Sequence, residues 1–184
     1  GSLVMASRRG AAAKVITLNF DDVLERYLEF HGFTTATVHS GRHWAQNEDV
    51  VIYHPHGFLS FDQAEESDDL VLGTTSFHHV MTSALWRPVI ETALRQHTFL
   101  YVGLSGQDMH LHSHWADLKE FHAISSERIR YHGVRFDVSG SEGDVALLTE
   151  KWGIHTHVLA SWDELPGFLY SICQKARSIR MKSG

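Results

Sequence analysis

Lys14-Val15-Ile16-Thr17-Leu18 is a short, β-branched run that passes directly into Asn19-Phe20-Asp21-Asp22 and then into Val23, Leu24, Tyr27 and Leu28 at helical spacing, ending at Gly32. That order predicts a strand, a polar turn and a helix with a glycine stop. The same alternation continues outward. Thr34 to Val38 and Val50 to Tyr53 have strand character, and the acidic stretch Asp62 to Asp69 between Phe61 and Leu70 reads as a solvated loop. Ser76 to Gln96 reads as a helical region broken near Pro88, whose ring cannot continue the hydrogen-bond ladder unless it begins a new helix. Thr98 to Val102 is predicted as a buried strand, Asp108 to Phe121 as a helix, Val134 to Val138 as a strand, Asp144 to Trp152 as a helix and His155 to Leu159 as a strand. Trp162 to Arg177 closes the pattern as an amphipathic helix, and Leu3 to Lys14 reads as a helix before the first strand. Near-continuous apolar strands separated by helices imply the α/β class, with a largely parallel sheet covered by helices on both faces.

The chain has 184 residues, 43% hydrophobic and 21% charged, which suits one domain spanning 1–184 rather than two full-sized ones. A domain of this length buries about 70% of the surface of its unfolded chain, so it can fold without disulfides or a structural metal. Cys173 is the single cysteine, too few for an intramolecular disulfide or a Cys-rich zinc module, and a reducing cytoplasm is the expected compartment. With 16 Lys+Arg against 22 Asp+Glu the formal charge is -6, which argues against direct binding to nucleic acid or to acidic membranes. No apolar run approaches the roughly 20 residues needed to span a bilayer. The outlier is histidine, 15 in all, so solubility and association are expected to respond to pH just below neutrality.

Parallel α/β sheets bind ligands at the C-terminal ends of their strands, which directs attention to the residues just past each strand. Asn19-Phe20-Asp21 comes after the first strand, His54-Pro55-His56-Gly57 after Val50 to Tyr53, and Gly103-Leu104-Ser105-Gly106-Gln107-Asp108 after Thr98 to Val102. Each has a plain structural reading: Asn19 and Asp21 as turn and helix cap, Gly103 and Ser105 as turn residues, His56 as a hydrogen-bonded histidine beside a turn glycine. Taken together and in order, Thr17-x-Asn19-x-Asp21, His56-Gly57 and Val102-Gly103-Leu104-Ser105 with Asp108 resemble the Sir2-like domain of prokaryotic NAD-consuming proteins, many of which serve in antiviral defence. The resemblance runs from about Val15 to Asp108, and the remainder matches only as Rossmann-like alternation.

The resemblance implies an NAD⁺ glycohydrolase that releases nicotinamide and ADP-ribose. It places Asn19 beside the nicotinamide ribose, makes His56 the base acting on a ribose hydroxyl, sets Gly103 and Ser105 against the adenosine side, and has Asp21, with Thr17, shape the pocket around Asn19. The residue types suit that chemistry. Imidazole accepts a proton near neutral pH, an amide orients ribose and water without titrating, and Gly57 lets the backbone approach a ligand closely. His54 is the competing candidate for the base. NAD is then the substrate and no metal is required. The expected partners are NAD or ADP-ribose, together with self-association or further domains.

Two departures from the family pattern stand out. The Gly-Ala-Gly phosphate loop expected before Thr17 is not in the 16 residues that precede it, and no G-x-G-x-x-G occurs, so the chain reads as an N-terminally truncated fragment or as a variant with an incomplete pyrophosphate site. Arg8-Arg9 could supply charge there, although a surface helix face explains them more simply. The four-cysteine zinc module of protein deacylases is also missing, which disfavours acyl-lysine removal relative to NAD hydrolysis. Two other readings differ in class: metal binding by His110, His112 and His114, which lack a carboxylate at the H-E-x-x-H spacing, and a non-catalytic NAD or ADP-ribose sensor or scaffold. With no glycine-rich loop to offer backbone donors to the pyrophosphate, the isolated chain is expected to bind NAD weakly. Titration calorimetry checks this, and tight binding would show that another element holds the phosphates.

Overall fold

The computed structural model describes residues 12, 14–41, 47–62, 70–71, 80, 83–103, 133–138, 145–146, 148–150 and 153–182. They fall into two compact units, the first comprising residues 1–86 and 166–184 and the second residues 87–165. The mixed α/β architecture with parallel sheets and flanking helices is the Rossmann-like arrangement that the alternation implies.

In the first unit, β1 (Lys14–Ile16), β2 (Thr35–Val38) and β3 (Val50–Tyr53) form a parallel sheet in the order β1-β3-β2. Val15 pairs with Ile52 and Thr37 with Ile52, so β3 is the middle strand. Its Val-Val-Ile-Tyr sequence is apolar throughout because both faces are covered. Val50 and Ile52 join Leu28 and Phe33 in one cluster, with Val15 and Leu24 packed against it. Val51 and Tyr53 turn the other way, toward Val38, Val80 and Trp86. This is the period-two consequence of the pleat.

Helix α1 (Val23–Phe30) connects β1 to β2 and stops at His31 and Gly32, the latter at φ +78°. A left-handed residue past the last turn is the usual place for glycine. The apolar spacing read from sequence locates the helix but not its buried face. Val23 and Tyr27 are exposed, whereas Leu24, Glu25 and Leu28 turn inward and Glu25 is only 3% exposed. Lys14 opens β1 instead of ending a helix, and the strand stops at Ile16 because Thr17 and Leu18 belong to the turn.

The second unit holds β4 (Phe99–Tyr101), β5 (Gly133–Asp137) and β6 (Ile154–Val158), again parallel and in that order. Leu94, Tyr101, Leu148 and Ile154 form its core, with Ile90 and Phe99 against them. The run Thr98 to Val102 is less buried than its composition suggests, since Leu100 and Val102 are exposed. Helix α2 (Trp86–Gln96) carries Pro88 in its first turn. The first backbone N–H groups of a helix have no intrahelical partner, so proline there removes nothing. The predicted segment Ser76 to Gln96 is thus a helix only from Trp86 among its described residues, apart from Val80. Residues 145, 146 and 148–150 are helical as read from sequence, a 3₁₀ turn covers Trp162–Glu164, and α3 (Leu165–Lys182) follows. The predicted helix Asp108 to Phe121 and the acidic stretch beyond Asp62 lie outside the described residues.

Two glycines test this packing in opposite directions. A Cβ at Gly133 would collide with the Phe99 carbonyl and the Tyr101 ring across the β4–β5 pair, whereas one at Gly167, early in α3, meets nothing within 4 Å among the described residues. Gly133→Ala is expected to cost about 1–3 kcal/mol by overpacking. Gly167→Ala is expected to stabilise by about 0.4–1 kcal/mol through the unfolded state. Thermal unfolding of the two variants checks both signs.

Candidate functional site

Parallel pairing puts the C-terminal ends of β1, β3 and β2 on one edge of the first unit's sheet, so the turns beyond them share that rim. Thr17 N–H still pairs with the Tyr53 carbonyl at 3.0 Å, and His54 N–H with the Val38 carbonyl at 2.9 Å. Beyond these bonds the chain leaves the ladder.

After β1 the backbone is held by side chains. Thr17 Oγ1 accepts the Asn19 N–H at 3.2 Å, and the Asp21 carboxylate accepts the Val23 N–H at 3.2 Å. Asp21 therefore performs the local turn-forming job open to it in sequence. Asp22, at the N-cap, makes no side-chain capping hydrogen bond to its own helix. It is buried and accepts from the Phe61 N–H at 2.9 Å and the Ser60 hydroxyl at 3.4 Å.

After β3 the segment His54-Pro55-His56-Gly57 forms a β-turn in which the His54 carbonyl accepts the Gly57 N–H at 3.1 Å. Pro55 supplies the restricted φ favoured at the second turn position. Gly57 sits at φ +100°, which an L side chain rarely adopts. His56 is half-buried, and its carbonyl accepts from the Val71 N–H at 2.8 Å. Phe58 then re-enters the core between two imidazoles, stacked on His39 at 5.4 Å and edge-on to His54 at 4.9 Å between ring centres.

The two turns are fastened to each other. Leu59 N–H donates to the Phe20 carbonyl at 2.7 Å, and Asp21 and Leu59 form a parallel bridge. At the centre lies His54, fully buried, with Nδ1 3.0 Å from the Asn19 carbonyl oxygen and Nε2 2.6 Å from Glu25 Oε1. A carbonyl oxygen only accepts, so Nδ1 carries the hydrogen. The Nε2–Oε1 contact then contains one proton shared between imidazole and carboxyl. With both ring nitrogens engaged inside the protein, His54 presents no atom to a ligand.

Asn19 itself is exposed, as is Asp21, while Thr17 is half-buried and Gly57 is buried. The structure thus gathers Thr17, Asn19, Asp21, His56 and Gly57 along one rim of the first unit. Gly103 belongs to the second unit, where it comes after β4 at φ +67°, and a Cβ there would meet nothing within 4 Å among the described residues. Ser105, Asp108 and His110 to His114 lie outside the described residues. On β5, the strand next to β4, Arg135 and Asp137 form an ion pair on one face, and the Asp137 carboxylate also accepts the Val138 N–H at 2.8 Å. Among the described residues no group of three or more His, Cys, Asp or Glu side chains could hold a metal ion, and no helix is long and apolar enough to cross a membrane.

Glu25, His39 and Phe58 were not legible as site-forming residues from motif spacing. Two signals pointed to the first of them. Position 54 continues the Val50, Ile52 alternation onto the α1 face, and position 25 lies one helical turn before the core residue Leu28.

A family model for the SIR2-like domain matches residues 13–157, most of the chain and parts of both units, and the chain belongs to that family. SIR2-like domains bind NAD and are commonly NAD-dependent enzymes. No individual curated protein matches the chain at a significant level.

Because His54 and Glu25 bury one proton between two polar groups, removing one partner leaves the other stranded. His54→Ala is expected to lower the unfolding free energy by about 3–5 kcal/mol. Urea denaturation measures it, and a loss comparable to that of a surface substitution would show that the pair is not closed to water.

Proposed function

We propose that the protein is an NAD⁺ glycohydrolase of the prokaryotic antiviral defence type, cleaving NAD⁺ with water to nicotinamide, ADP-ribose and a proton. The reading treats residues 1–184 as one SIR2-like domain in the cytoplasm, self-associating or joined to further domains. The extent of the family match through both units supports the single-domain part. The observation that carries the reaction is the fastening of the Asn19 turn to the His56-Gly57 turn on one strand-end rim, with His54 closed inside. His54 is enclosed by its two partners, and the reading gives the base role to His56, half-buried on the same rim.

Cleavage of the bond between nicotinamide and ribose releases a neutral pyridine and develops oxocarbenium character on the sugar. The roles follow from residue type. His56 takes a proton from a ribose hydroxyl, and the Asn19 amide orients ribose and water. Thr17 and Asp21 fix the backbone on either side of Asn19, and Gly57 allows close approach. Gly103 and Ser105 take the adenosine side. The reaction needs no metal.

His56→Ala is expected to cut nicotinamide release by about a hundred- to ten-thousand-fold, with a far smaller change in NAD affinity, because base catalysis acts mainly in the transition state. Asn19→Ala is expected to lower turnover through misplaced ribose and water, and the double variant to fall short of additivity. The acid limb of the parental pH profile should be missing from residual His56→Ala activity. Parental turnover in His56→Ala would remove it as the base. Binding of NAD without nicotinamide release by any intact form would favour the sensor reading.

A further inference from the structure

Asn19 combines an exposed side chain with a main chain held on three sides. Its N–H is bonded to Thr17 Oγ1 at 3.2 Å, its carbonyl faces His54 Nδ1 at 3.0 Å, and the next carbonyl, of Phe20, accepts from Leu59 at 2.7 Å. Only the bond from His54 comes from a side chain that is itself buried and oriented by a second buried group, Glu25. We propose that Glu25 and His54 are positioning residues for Asn19: Glu25 fixes the tautomer and rotation of the His54 ring, and the ring pins the Asn19 carbonyl so that the amide is presented to a ligand in one orientation. The inference rests on the reading that the Asn19 amide orients ribose and water.

The chemistry of the pair explains why these residue types are used. The donor to this part-buried carbonyl must keep its hydrogen on Nδ1, and an imidazole alone can hold it on either nitrogen. Glu25 at Nε2 makes the choice. As carboxylate it accepts from imidazolium, and as carboxylic acid it donates to the neutral ring; in both states Nδ1–H remains aimed at Asn19. Both members are on structured elements, Glu25 in α1 and His54 at the exit of the middle strand, so the reference frame for Asn19 is the core of the sheet and not its own turn alone.

The test separates positioning from simple stability. Replacing both members by apolar residues of similar size removes a buried ion pair without stranding either partner, a change that is often neutral or stabilising. Glu25→Leu/His54→Leu in the whole chain also removes the donor to the Asn19 carbonyl, so it is expected to stay folded with only a small drop in melting temperature while the Leu59 amide, which reports the fastening of the turn, exchanges its hydrogen at least about ten times faster than in the parent. Exchange at Ile52, in the sheet, should be unchanged. Nicotinamide release should show kcat reduced on the order of ten- to a hundred-fold with KM for NAD little altered, as expected for misplacement without loss of a reacting group. Glu25→Leu/His54→Asn, whose amide can still donate to the Asn19 carbonyl, should recover part of kcat and of the Leu59 protection. Unchanged Leu59 exchange in the double-leucine variant overturns the proposal, whatever happens to kcat, and so does an unchanged kcat in a parent-like enzyme that Asn19→Ala inactivates. Accelerated Leu59 exchange in a protein whose NAD cleavage is absent or indifferent to Asn19→Ala upholds the fastening and overturns the NAD reading on its own.

Discussion

The parallel pairing of β1 with β3 is the constraint on which the first unit's site depends. Lys14 opposite Val51 and Ile16 opposite Tyr53 bring both strands to an end at the same height, so Thr17 and His54 leave the sheet side by side. An antiparallel pair would have sent the two exits to opposite edges. The apolar Val-Val-Ile-Tyr run makes the register costly to change, because a slip of one residue would exchange the α1 face for the Val80 and Trp86 face. Register fixed by the core thus becomes the placement of two polar turns.

What the core does not fix, a second set of contacts does. Turns leave backbone polar groups outside the ladder, and each needs a partner when buried. Here the partners are reciprocal: Asn19 and Phe20 offer carbonyls, His54 and Leu59 supply donors, and Asp22 accepts from Phe61. Arg26 adds an outer tie, its guanidinium 5.0 Å from the centre of the Phe61 ring and paired with Asp62 at 3.2 Å. Exposed ion pairs contribute little to stability, so this tie adds orientation more than strength. The rim is therefore rigid where its backbone is buried and open where Asn19 and Asp21 face outward.

Strand and helix positions were readable because periodicity survives in single sequences. Val50 to Tyr53 coincides with β3, Val23 to Gly32 brackets α1, and the Thr-x-Asn-x-Asp and His-Gly elements fall at strand ends as the alternation requires. The errors have a common origin in judging burial from polarity. Val23 and Tyr27 look like core and are exposed, while Glu25 looks like a solvated helix face and is buried. A charged residue can replace an apolar one in the interior only when a specific partner is there, and the partner lies 29 residues away. Helical periodicity within α1 carries no record of His54, so only the facing of two elements could reveal the pair. Leu100 and Val102 show the converse, apolar residues left exposed in a strand whose composition suggested burial.

The N-terminal turn of α1 shows how local and long-range demands were reconciled. Acidic residues are favoured at a helix N-terminus because they complement its dipole and its unpaired N–H groups. Asp22 and Glu25 occupy that region, yet neither caps the helix with its side chain: Asp22 reaches Phe61 and Glu25 reaches His54. Capping falls to Asp21, one residue earlier, whose carboxylate takes the Val23 N–H. Three demands, closing the turn, tying the 60–61 segment and orienting the buried imidazole, are met by three carboxylates within five residues. The dipole favours negative charge at all three, so the helix end accommodates a buried carboxyl that mid-helix would make more costly. The position of Glu25 on the inward face, not its charge, then determines that it meets the histidine that ends the middle strand.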